Sequence, residues 1–362
     1  MKTVGKKVFV GLSGGVDSSV SAYLLKNAGY DVRGVFIKVW QPNFIQCSLE
    51  EDRLSAMRIC SELEIPFETL DLEEEYKEGV IDYMIDEYKN GRTPNPDVMC
   101  NKEVKFGAFL DWAKSRGADF VATGHYAQVL KRKTQNAKYE DEKYELLRGV
   151  DVGKDQSYFL WTLRQEQLKH VLFPVGHLQK SEVRKIASKA GLSTAKKKDS
   201  QGLCFVGNIN MKDFLKHFIQ ESRGDVLNES GEVVGFHNGS VFVTLGERHG
   251  FIITKKTPND TPYYIIKKNV AENTVTVSRN LSDLKRKTKM IELKYVNFIS
   301  GQNPLAGKYS AQTRYHGEKY GLTIIGEANS LRFELEKSDL VASGQSLVFY
   351  DGNICLGGGV VV

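Results

Sequence analysis

A strand-to-helix turn near the N-terminus constrains the fold more than any other feature of the chain. The apolar run 8–10 predicts a short buried strand, which breaks at Ser13, Gly14 and Gly15 and enters a helical run at 17–27. Glycines at such a turn allow positive φ angles and let the backbone approach a ligand closely. The N–H groups of the turn and of the helix start can then surround phosphate oxygens. Because no Gly-Lys-Ser/Thr follows, the turn is not a Walker A loop.

The whole string from Ser13 to Ser18, Ser-Gly-Gly-Val-Asp-Ser, resembles the pyrophosphate loop of ATP pyrophosphatases. These enzymes split ATP into AMP and pyrophosphate in order to activate an oxygen. Two adjacent glycines alone would favour an ordinary turn. The complete string directly after a strand favours a nucleotide site.

The first part of the chain alternates short apolar runs with helical segments. We predict strands at 31–39, 67–70 and 120–123, and helices at 50–63, 72–89 and 103–116. This alternation predicts an α/β fold with a parallel sheet covered on both faces. Ligands of such sheets bind at the carboxyl ends of the strands, where the Ser-Gly-Gly turn and Gly124 both fall.

Two further elements are predicted in this part of the chain. The charged stretch 128–148 predicts an exposed hairpin, whose lysines indicate a solvated surface or, alternatively, a contact with nucleic acid. The stretch 181–190 predicts an amphipathic helix capped by Ser181.

The pattern changes after about Phe205. Short runs separated by glycines predict a small central domain that mixes helix and strand. From about Leu281, runs such as 289–298, 308–315 and 346–350 alternate apolar and polar residues, and Asp351 with Gly352 marks a hairpin. These features predict a C-terminal antiparallel β-barrel. We therefore expect three domains, at 1–206, 207–281 and 282–362.

Composition limits the class of protein. The net charge of +5 permits a polyanionic partner. There is no apolar stretch long enough to span a bilayer and no signal-peptide core at the start, so we expect a soluble, cytoplasmic protein without membrane contact. The five cysteines are widely spaced and odd in number, which argues against a disulfide framework or a structural zinc site.

A second chemical signal is the stretch 93–101, Thr-Pro-Asn-Pro-Asp-Val-Met-Cys-Asn. Its two prolines predict an extended, rigid loop. Asp97 and Cys100 are three residues apart, so one helical turn would place carboxylate and thiol on the same side. A thiol near the N-terminus of the helix predicted at 103–116 would shift toward thiolate, and the carboxylate could move a proton. The alternative is a turn with a buried cysteine.

A third signal is the stretch 199–207, Asp-Ser-Gln-Gly-Leu-Cys-Phe-Val-Gly. Gly202 allows close backbone approach beside Cys204, and the lysines at 196–198 could favour thiolate or contact phosphates. The alternatives are a core cysteine and a solvated lysine run.

Together the three signals occur in the order and approximate spacing of the bacterial and mitochondrial tRNA 2-thiouridylases, which the chain closely resembles. The resemblance extends to 91–93, 100–106, 122–126 and 154–159 and covers the whole chain. It implies a pyrophosphatase-type α/β domain, a small central domain and a C-terminal β-barrel.

In that family, ATP adenylates the 2-carbonyl oxygen of the wobble uridine in the tRNA anticodon. The resemblance implies that Cys204 carries a persulfide, that Cys100 is the partner nucleophile, and that a Cys100–Cys204 disulfide remains. It makes Asp97 the proton-handling residue. The implied partners are the tRNA anticodon stem-loop and a protein that donates persulfide sulfur.

The resemblance also implies the binding residues. Those for ATP are Gly11, Leu12, Ser13, Gly14, Gly15, Val16, Asp17, Ser18, Ile37 and Gly124. Those for the target base and the tRNA are Asn95, Pro96, Asp97, His125, Lys154, Asp155, Gln156, Arg314, Tyr315 and Gln345. Mg²⁺ would accompany ATP, and position alone suggests Asp17 as the carboxylate that orients it.

The chain departs from the family pattern at Glu247 and His249, which puts local tRNA contacts of the central domain in doubt. Cys47, Cys60 and Cys355 are interpreted as packing or spare thiols.

Two other functions stay open. One is another pyrophosphatase-loop ligase, which needs no cysteine pair. The other is a tRNA- or nucleotide-binding module without turnover. A zinc deaminase is excluded because the chain lacks the Cys-x-x-Cys of that signature.

Overall fold

The structure is a computed structural model that describes residues 5–44, 49–133, 142–199, 210–254, 261–280, 289–326, 331–337 and 341–362. Its strands are β1 (Lys7–Gly11), β2 (Asp31–Lys38), β3 (Phe67–Asp71), β4 (Phe120–Ala122), β5 (Ala127–Lys133), β6 (Glu142–Arg148), β7 (Val171–Leu172), β8 (Gly224–Leu227), β9 (Val233–His237), β10 (Phe251–Ile253), β11 (Tyr264–Asn269), β12 (Thr274–Ser278), β13 (Met290–Ile291), β14 (Leu293–Phe298), β15 (Gly307–Gln312), β16 (Lys319–Ile325), β17 (Arg332–Leu335), β18 (Ser346–Asp351) and β19 (Ile354–Val361).

The α-helices are α1 (Val16–Asn27), α2 (Leu49–Glu62), α3 (Glu73–Tyr76), α4 (Tyr83–Lys89), α5 (Pro96–Met99), α6 (Phe109–Ser115), α7 (Gln165–Leu168), α8 (Lys180–Lys189) and α9 (Met211–Lys216). Two π-helical stretches, Lys77–Asp82 and Cys100–Ala108, connect α3 to α4 and α5 to α6. Short 3-10 turns lie at Ser157–Leu160, Ser193–Lys196 and Ser240–Phe242. No helix in the described part of the chain has the length and apolar character needed to cross a membrane.

The first sheet is parallel, with the strand order β3-β2-β1-β4-β7. Its two faces are covered by different helices. Val8 and Val10 of β1 belong to a core with residues of α1, α2 and α8, whereas Phe9 belongs to a core with residues of α4 and α6. This alternation is the period-two pattern of a strand buried on both faces. The predicted parallel α/β sheet is confirmed.

Two predicted helix starts in this domain are wrong. The helix predicted from residue 103 begins at Pro96, and Asn95 is its N-cap because the Asn95 side chain accepts a hydrogen bond from the Val98 N–H at 3.3 Å. Proline is favoured at the first helical position, so Pro96 starts the helix instead of extending the loop. The helix predicted from Ser181 begins at Lys180, and the Glu182 carboxylate accepts from the Gln179 N–H at 2.7 Å.

The hairpin of β5 and β6 exists, but it is not simply a solvated projection. β6 pairs with β19, so that Leu147 lies opposite Ile354 and Leu146 opposite Cys355. Leu146 is fully buried. The hairpin therefore extends the C-terminal sheet and joins the first domain to the third through backbone hydrogen bonds.

The later parts of the chain form two more sheets. The central one has the order β10-β9-β8-β12-β11, with β8 and β12 parallel and the other pairs antiparallel, and α9 precedes it. The C-terminal sheet is antiparallel and barrel-like, in the order β13-β17-β16-β15-β18-β19-β6-β5, with β14 also paired to β19. The predicted hairpin turn at Gly352 joins β18 to β19. The mixed central domain and the C-terminal antiparallel fold are confirmed.

Candidate functional site

The nucleotide loop, defined as residues 11–18, runs from the end of β1 into α1 as the sequence predicts. Gly14 has φ +71°, and a Cβ there would lie 2.6 Å from the Asp52 carbonyl oxygen. Ser18 Oγ donates to the Gly15 carbonyl at 3.1 Å and accepts from the Ser13 N–H at 3.3 Å, which closes the turn. Among the described residues no side chain caps α1. The turn is a backbone cradle at a helix N-terminus, the geometry that binds phosphate.

Two more predicted nucleotide residues lie beside this loop. Gly124 follows β4, and a Cβ there would lie only 2.7 Å from the Ser18 backbone nitrogen. Ile37 is buried near the carboxyl end of β2, and its Cδ1 lies 3.9 Å from where a Cβ of Gly11 would be. The carboxyl ends of β1, β2 and β4 thus meet at one edge of the sheet, where ligands of such sheets bind.

Asp17 in the first turn of α1 is held by an ion pair. Lys180 Nζ lies 2.7 and 2.8 Å from the two Asp17 carboxylate oxygens, and the Tyr126 hydroxyl donates to one of them at 2.8 Å. Burial and the Asp17 charge raise the pKa of Tyr126 well above its ordinary value, so the phenol remains a donor. Both Asp17 oxygens are therefore used within the protein.

Asp17 is paired within the protein, and the magnesium role that its position suggests stays a prediction. Its carboxylate is neutralised by Lys180, and no group of three or more His, Cys, Asp or Glu side chains suited to a metal occurs in the described part of the chain. Mg²⁺ that accompanies a nucleotide is usually held by one or two carboxylates together with the phosphates. Asp17 would provide such a carboxylate only after its pair with Lys180 opens.

Lys180 also binds Asp199, which opens the third sequence motif. Asp199 receives Lys180 Nζ at 2.9 Å, Lys154 Nζ at 2.8 Å and the Arg184 guanidinium at 2.7 Å. Partial burial raises the pKa of Asp199, but hydrogen bonds from Lys154 and Lys180 outweigh it, and the pKa falls to about 2. Asp199 is thus an ionised anchor linked through one lysine to the nucleotide loop.

The residues just before Asp199 are anchored as well. Arg184 donates to the carbonyls of Ala195 and Lys197 at 2.9 and 3.0 Å. Lys197 Nζ lies 2.8 Å from Asp52, the residue whose backbone packs against Gly14. Lys197 is therefore paired within the protein. This pairing matches neither the solvated lysine nor the phosphate contact that the sequence suggests. The segment that leads to Cys204 leaves the described structure next to the nucleotide loop.

The thiol turn, defined as residues 93–100, carries Asp97 and Cys100. Because the helix begins at Pro96, these two residues occupy its first and second turns on one side, as their spacing predicts. Cys100 is not part of a disulfide and has no exposed surface. It begins a π-helical stretch, a feature that is frequent at functional sites. The electrostatic effect of a helix N-terminus is confined to its first turn. Cys100 lies in the second turn, so the geometry does not support the predicted activation of its thiol by the helix N-terminus.

A cavity of about 720 Å³ opens beside Asn95 but on the other side of this helix. Its lining includes Val98, Met99, Lys102 and Phe106, and Asp97 and Cys100 are not part of it. The cavity is therefore separate from the thiol.

The matches to known proteins cover the whole chain. The family model described as the tRNA methyl transferase HUP domain matches residues 6–208, the tRNA methyl transferase PRC-barrel domain matches 212–279, and the aminomethyltransferase beta-barrel domain matches 288–361. The tRNA-specific 2-thiouridylase MnmA of Ligilactobacillus salivarius is 44% identical over 98% of this chain and 95% of its own length. That of Alkaliphilus oremlandii is 43% identical over 98% of this chain and 96% of its own length.

The chain belongs to the tRNA-specific 2-thiouridylase family. The domain descriptions mention methyl transfer, but the full-length relatives are named 2-thiouridylases, and full-length identity above 40% decides between the two.

For a 2-thiouridylase, the residues inferred to contact RNA fall into two groups in this structure. His125 and Asp155 are buried. His125 Nδ1 lies 2.6 Å from Thr123 Oγ1, and burial, with a contribution from Lys105, lowers the pKa of His125 well below its ordinary value. Asp155 pairs with Arg148 at 3.1 Å and accepts from two backbone N–H groups. Both side chains bond to other groups inside the protein, so neither is positioned for a contact with RNA at the surface.

The other inferred contacts have accessible surface. Arg314 is exposed, and Tyr315 is half-buried against Phe159 at 4.5 Å between ring centres. Lys154 pairs with Asp199, and Gln156 accepts from the Tyr126 N–H at 3.0 Å. Gln345 is half-buried and contacts the thiol turn.

Of the other four cysteines, two lie among the described residues. Cys60 and Cys355 are buried within hydrophobic clusters, as expected of packing thiols, and this burial raises the pKa of both to about 12. Cys47 and Cys204 lie outside the described residues.

The sequence reasoning missed Lys180, Arg184 and Tyr126 as parts of the site. Lys180 and Tyr126 contact Asp17 across more than 100 residues of sequence, so no local pattern identifies them.

Proposed function

We propose that this protein is a sulfurtransferase that uses ATP to convert the 2-oxo group of the wobble uridine of tRNA to a 2-thio group. The observation that carries the proposal is the similarity to 2-thiouridylases over 98% of the chain. The intact phosphate cradle of the nucleotide loop supports the use of ATP. We further propose a cytoplasmic protein, since its tRNA substrate is found there.

The chemistry requires activation of an unreactive carbonyl. Oxide is a poor leaving group, so a thiol alone does not replace the uridine oxygen. Attack of that oxygen on the α-phosphate of ATP releases pyrophosphate and converts the oxygen into a phosphate ester, which leaves as AMP.

The chain would contribute binding groups to this first half-reaction. The backbone N–H groups of Gly14, Gly15 and the start of α1 would hold the phosphates, and Ile37 and Gly124 would border the adenine. Mg²⁺ would enter with ATP, since the phosphates of a nucleotide supply most of the ligands of this ion.

The second half-reaction would use two thiols. The terminal sulfur of a persulfide on Cys204 attacks carbon 2, and AMP leaves with the oxygen. The Cys100 thiolate then attacks the Cys204 sulfur, which breaks the sulfur–sulfur bond to the base, leaves the 2-thio group and forms a Cys100–Cys204 disulfide. Asp97, on the same side of the helix as Cys100, would take up or return the proton. An external thiol reductant would then restore both cysteines.

The target base must leave its stack for this reaction, because its carbon 2 is otherwise out of reach. We propose that the anticodon stem-loop is bound by Lys154, Gln156, Arg314 and Tyr315, with Asn95 and Pro96 near the base. A protein with a persulfide would load Cys204.

The proposal is tested by incubating the purified protein with Mg-ATP, a persulfide donor and unmodified tRNA, then digesting the tRNA for mass spectrometry. We expect 2-thiouridine at the wobble position, and none from Cys100→Ser or Cys204→Ser. Full product from both cysteine variants would favour a ligase that needs no thiol, and ATP binding without AMP release in the presence of tRNA would favour a binding module. Cys355→Ser is the control, because Cys355 lies in strand β19 of the C-terminal sheet and has no role in the proposed reaction.

A further inference from the structure

The first residues of the thiol turn are held on both sides by the C-terminal domain. The Thr93 N–H donates to the Ser343 carbonyl at 2.8 Å. Gln345 Nε2 donates to the Thr93 carbonyl at 2.7 Å and lies 3.3 Å from the Pro94 carbonyl. A primary amide nitrogen has two hydrogens, and two carbonyl acceptors use both. Both hydrogens of the Gln345 amide are therefore bonded to the backbone just before the helix that carries Cys100.

Gly344 brings the two segments into contact. It has φ +92°, and a Cβ there would lie 2.9–3.0 Å from the Thr93 backbone atoms. The 343–345 turn is itself fixed to β19, since the Gly344 N–H donates to the Val361 carbonyl and the Val361 N–H donates to the Gln345 carbonyl. The contact is thus between two backbones, one of them anchored in the sheet.

This contact sits directly before the helix that carries Cys100. Asn95, two residues after Thr93, is the N-cap that fixes where the helix begins. Asn95 also shares a hydrogen bond with Tyr158. The Tyr158 hydroxyl has one hydrogen to donate and lies 3.0 Å from the Ser346 carbonyl oxygen and 3.2 Å from that of Thr313, both in the C-terminal domain. Moving residues 93–95 therefore moves the helix start, and with it the buried thiol.

We propose that Gln345 is a positioning residue, through which the C-terminal domain fixes the thiol turn and keeps Cys100 buried. The role of Cys100 in this statement rests on the proposed function. Gln345 matches an RNA-contacting position of the family, but its amide hydrogens are directed at the protein's own backbone.

The test is native-state alkylation of Cys100, measured by peptide mass spectrometry with N-ethylmaleimide. Gln345→Met keeps the side-chain length and removes both donors. We expect the Cys100 peptide to react about three- to tenfold faster than in the wild-type protein, as the loss of one or two hydrogen bonds allows. The rate constant for 2-thiouridine formation should fall by a similar factor, while the affinity for tRNA stays unchanged.

Two controls make the result specific. Gln302→Met is the same substitution at an exposed glutamine of the C-terminal domain and should leave Cys100 alkylation unchanged. The buried Cys60 and Cys355 report on general loosening, and their alkylation should not rise. Should the methionine variant fail to fold, Gln345→Glu gives the same readout, because an ionised carboxylate of the same shape donates no hydrogen bond.

Unchanged Cys100 alkylation in both Gln345 variants would overturn the proposal. Weaker tRNA binding together with unchanged alkylation would make Gln345 an RNA contact only. A wild-type protein that makes no 2-thiouridine would refute the proposed function, whereas the alkylation comparison would still decide the positioning role.

Discussion

The nucleotide loop and the thiol turn are built in opposite ways. The nucleotide loop is closed by its own residues, since Ser18 bonds to Ser13 and Gly15 within one turn. The thiol turn is closed by distant residues, because Thr93 is bonded to Ser343 and Gln345 of the C-terminal domain. It also touches the central domain, where Thr93 Oγ1 lies 3.2 Å from Thr244 Oγ1.

The difference has a functional consequence. A phosphate cradle needs only a strand, glycines and a helix start, all of which are local. In the proposed mechanism Cys100 meets a second thiol over one base, so its position relative to the rest of the molecule has to be fixed. All three domains therefore contribute to the position of the thiol turn, whereas the first domain alone shapes the nucleotide loop.

The largest effect is expected from filling the space next to the nucleotide loop. In Gly124→Val the added Cβ would lie 2.7 Å from the Ser18 nitrogen and 2.8 Å from the Asp17 carbonyl carbon, so the start of α1 must shift. We expect AMP formation in the presence of tRNA to fall on the order of 100-fold, since displacement of about 1 Å at a reacting site has that cost.

Gly307→Val is the matched control for this change. The nearest atoms to its Cβ position are at 3.8 and 4.0 Å, which is ordinary van der Waals contact. AMP formation at the wild-type rate in Gly124→Val would show that the loop is not the nucleotide site.

A smaller effect is expected from breaking the link between the nucleotide loop and Asp199. Lys180→Met leaves the carboxylates of Asp17 and Asp199 close together without the cation between them. Breaking a buried pair costs about 3–5 kcal/mol, and the partial exposure of both carboxylates reduces this to about 2 kcal/mol. Urea unfolding measures it.

Lys77→Met is the control, because its pair with Asp82 is exposed on both sides and should contribute less than about 1 kcal/mol. Equal losses in the two variants would contradict a special role for Lys180.

The stability contributed by the Lys180–Asp199 pair should decrease as the pH falls. The pKa of Asp199 is lowered in the folded protein from 3.8 to about 2, so its contribution to stability is complete above 3.8 and is lost as the pH falls through 2. The stability difference between wild type and Lys180→Met should therefore shrink between about pH 4 and pH 2. A difference that stays constant over that range would show that Asp199 is not the partner that matters.

The smallest effect concerns the contact between the thiol turn and the central domain. A double-mutant cycle with Thr93→Val and Thr244→Val should give a coupling energy of about 1 kcal/mol, the value of one hydrogen bond. Additive losses of stability would show that the two domains do not support each other at this point.

The sequence predicts the nucleotide side of the molecule well, because local patterns determine it. The run 8–10 forms the central strand, and the loop follows where the glycines stand. The start of the helix that carries Cys100 is also readable from the sequence, since Asn95 followed by Pro96 is the usual pairing of N-cap and first helical residue. The extended loop that the two prolines predict is therefore wrong at Pro96.

Other features could not be predicted from local patterns. The pairing of β6 with β19 joins residues about 200 positions apart, and the alternation of β6 fits a free hairpin equally well. The same holds for Lys180, which reaches Asp17 across 163 positions, and for Gln345, which reaches Thr93 across 252. Such contacts depend on how the domains pack, which periodicity does not describe.

The central claim is that two thiols act on one activated base, and a single-turnover reaction tests it most directly. Protein loaded with persulfide is mixed with Mg-ATP and tRNA without reductant, then digested under non-reducing conditions. We expect one linked peptide joining Cys100 to Cys204 for each 2-thiouridine formed. Formation of 2-thiouridine with the Cys100 peptide still a free thiol would contradict the account.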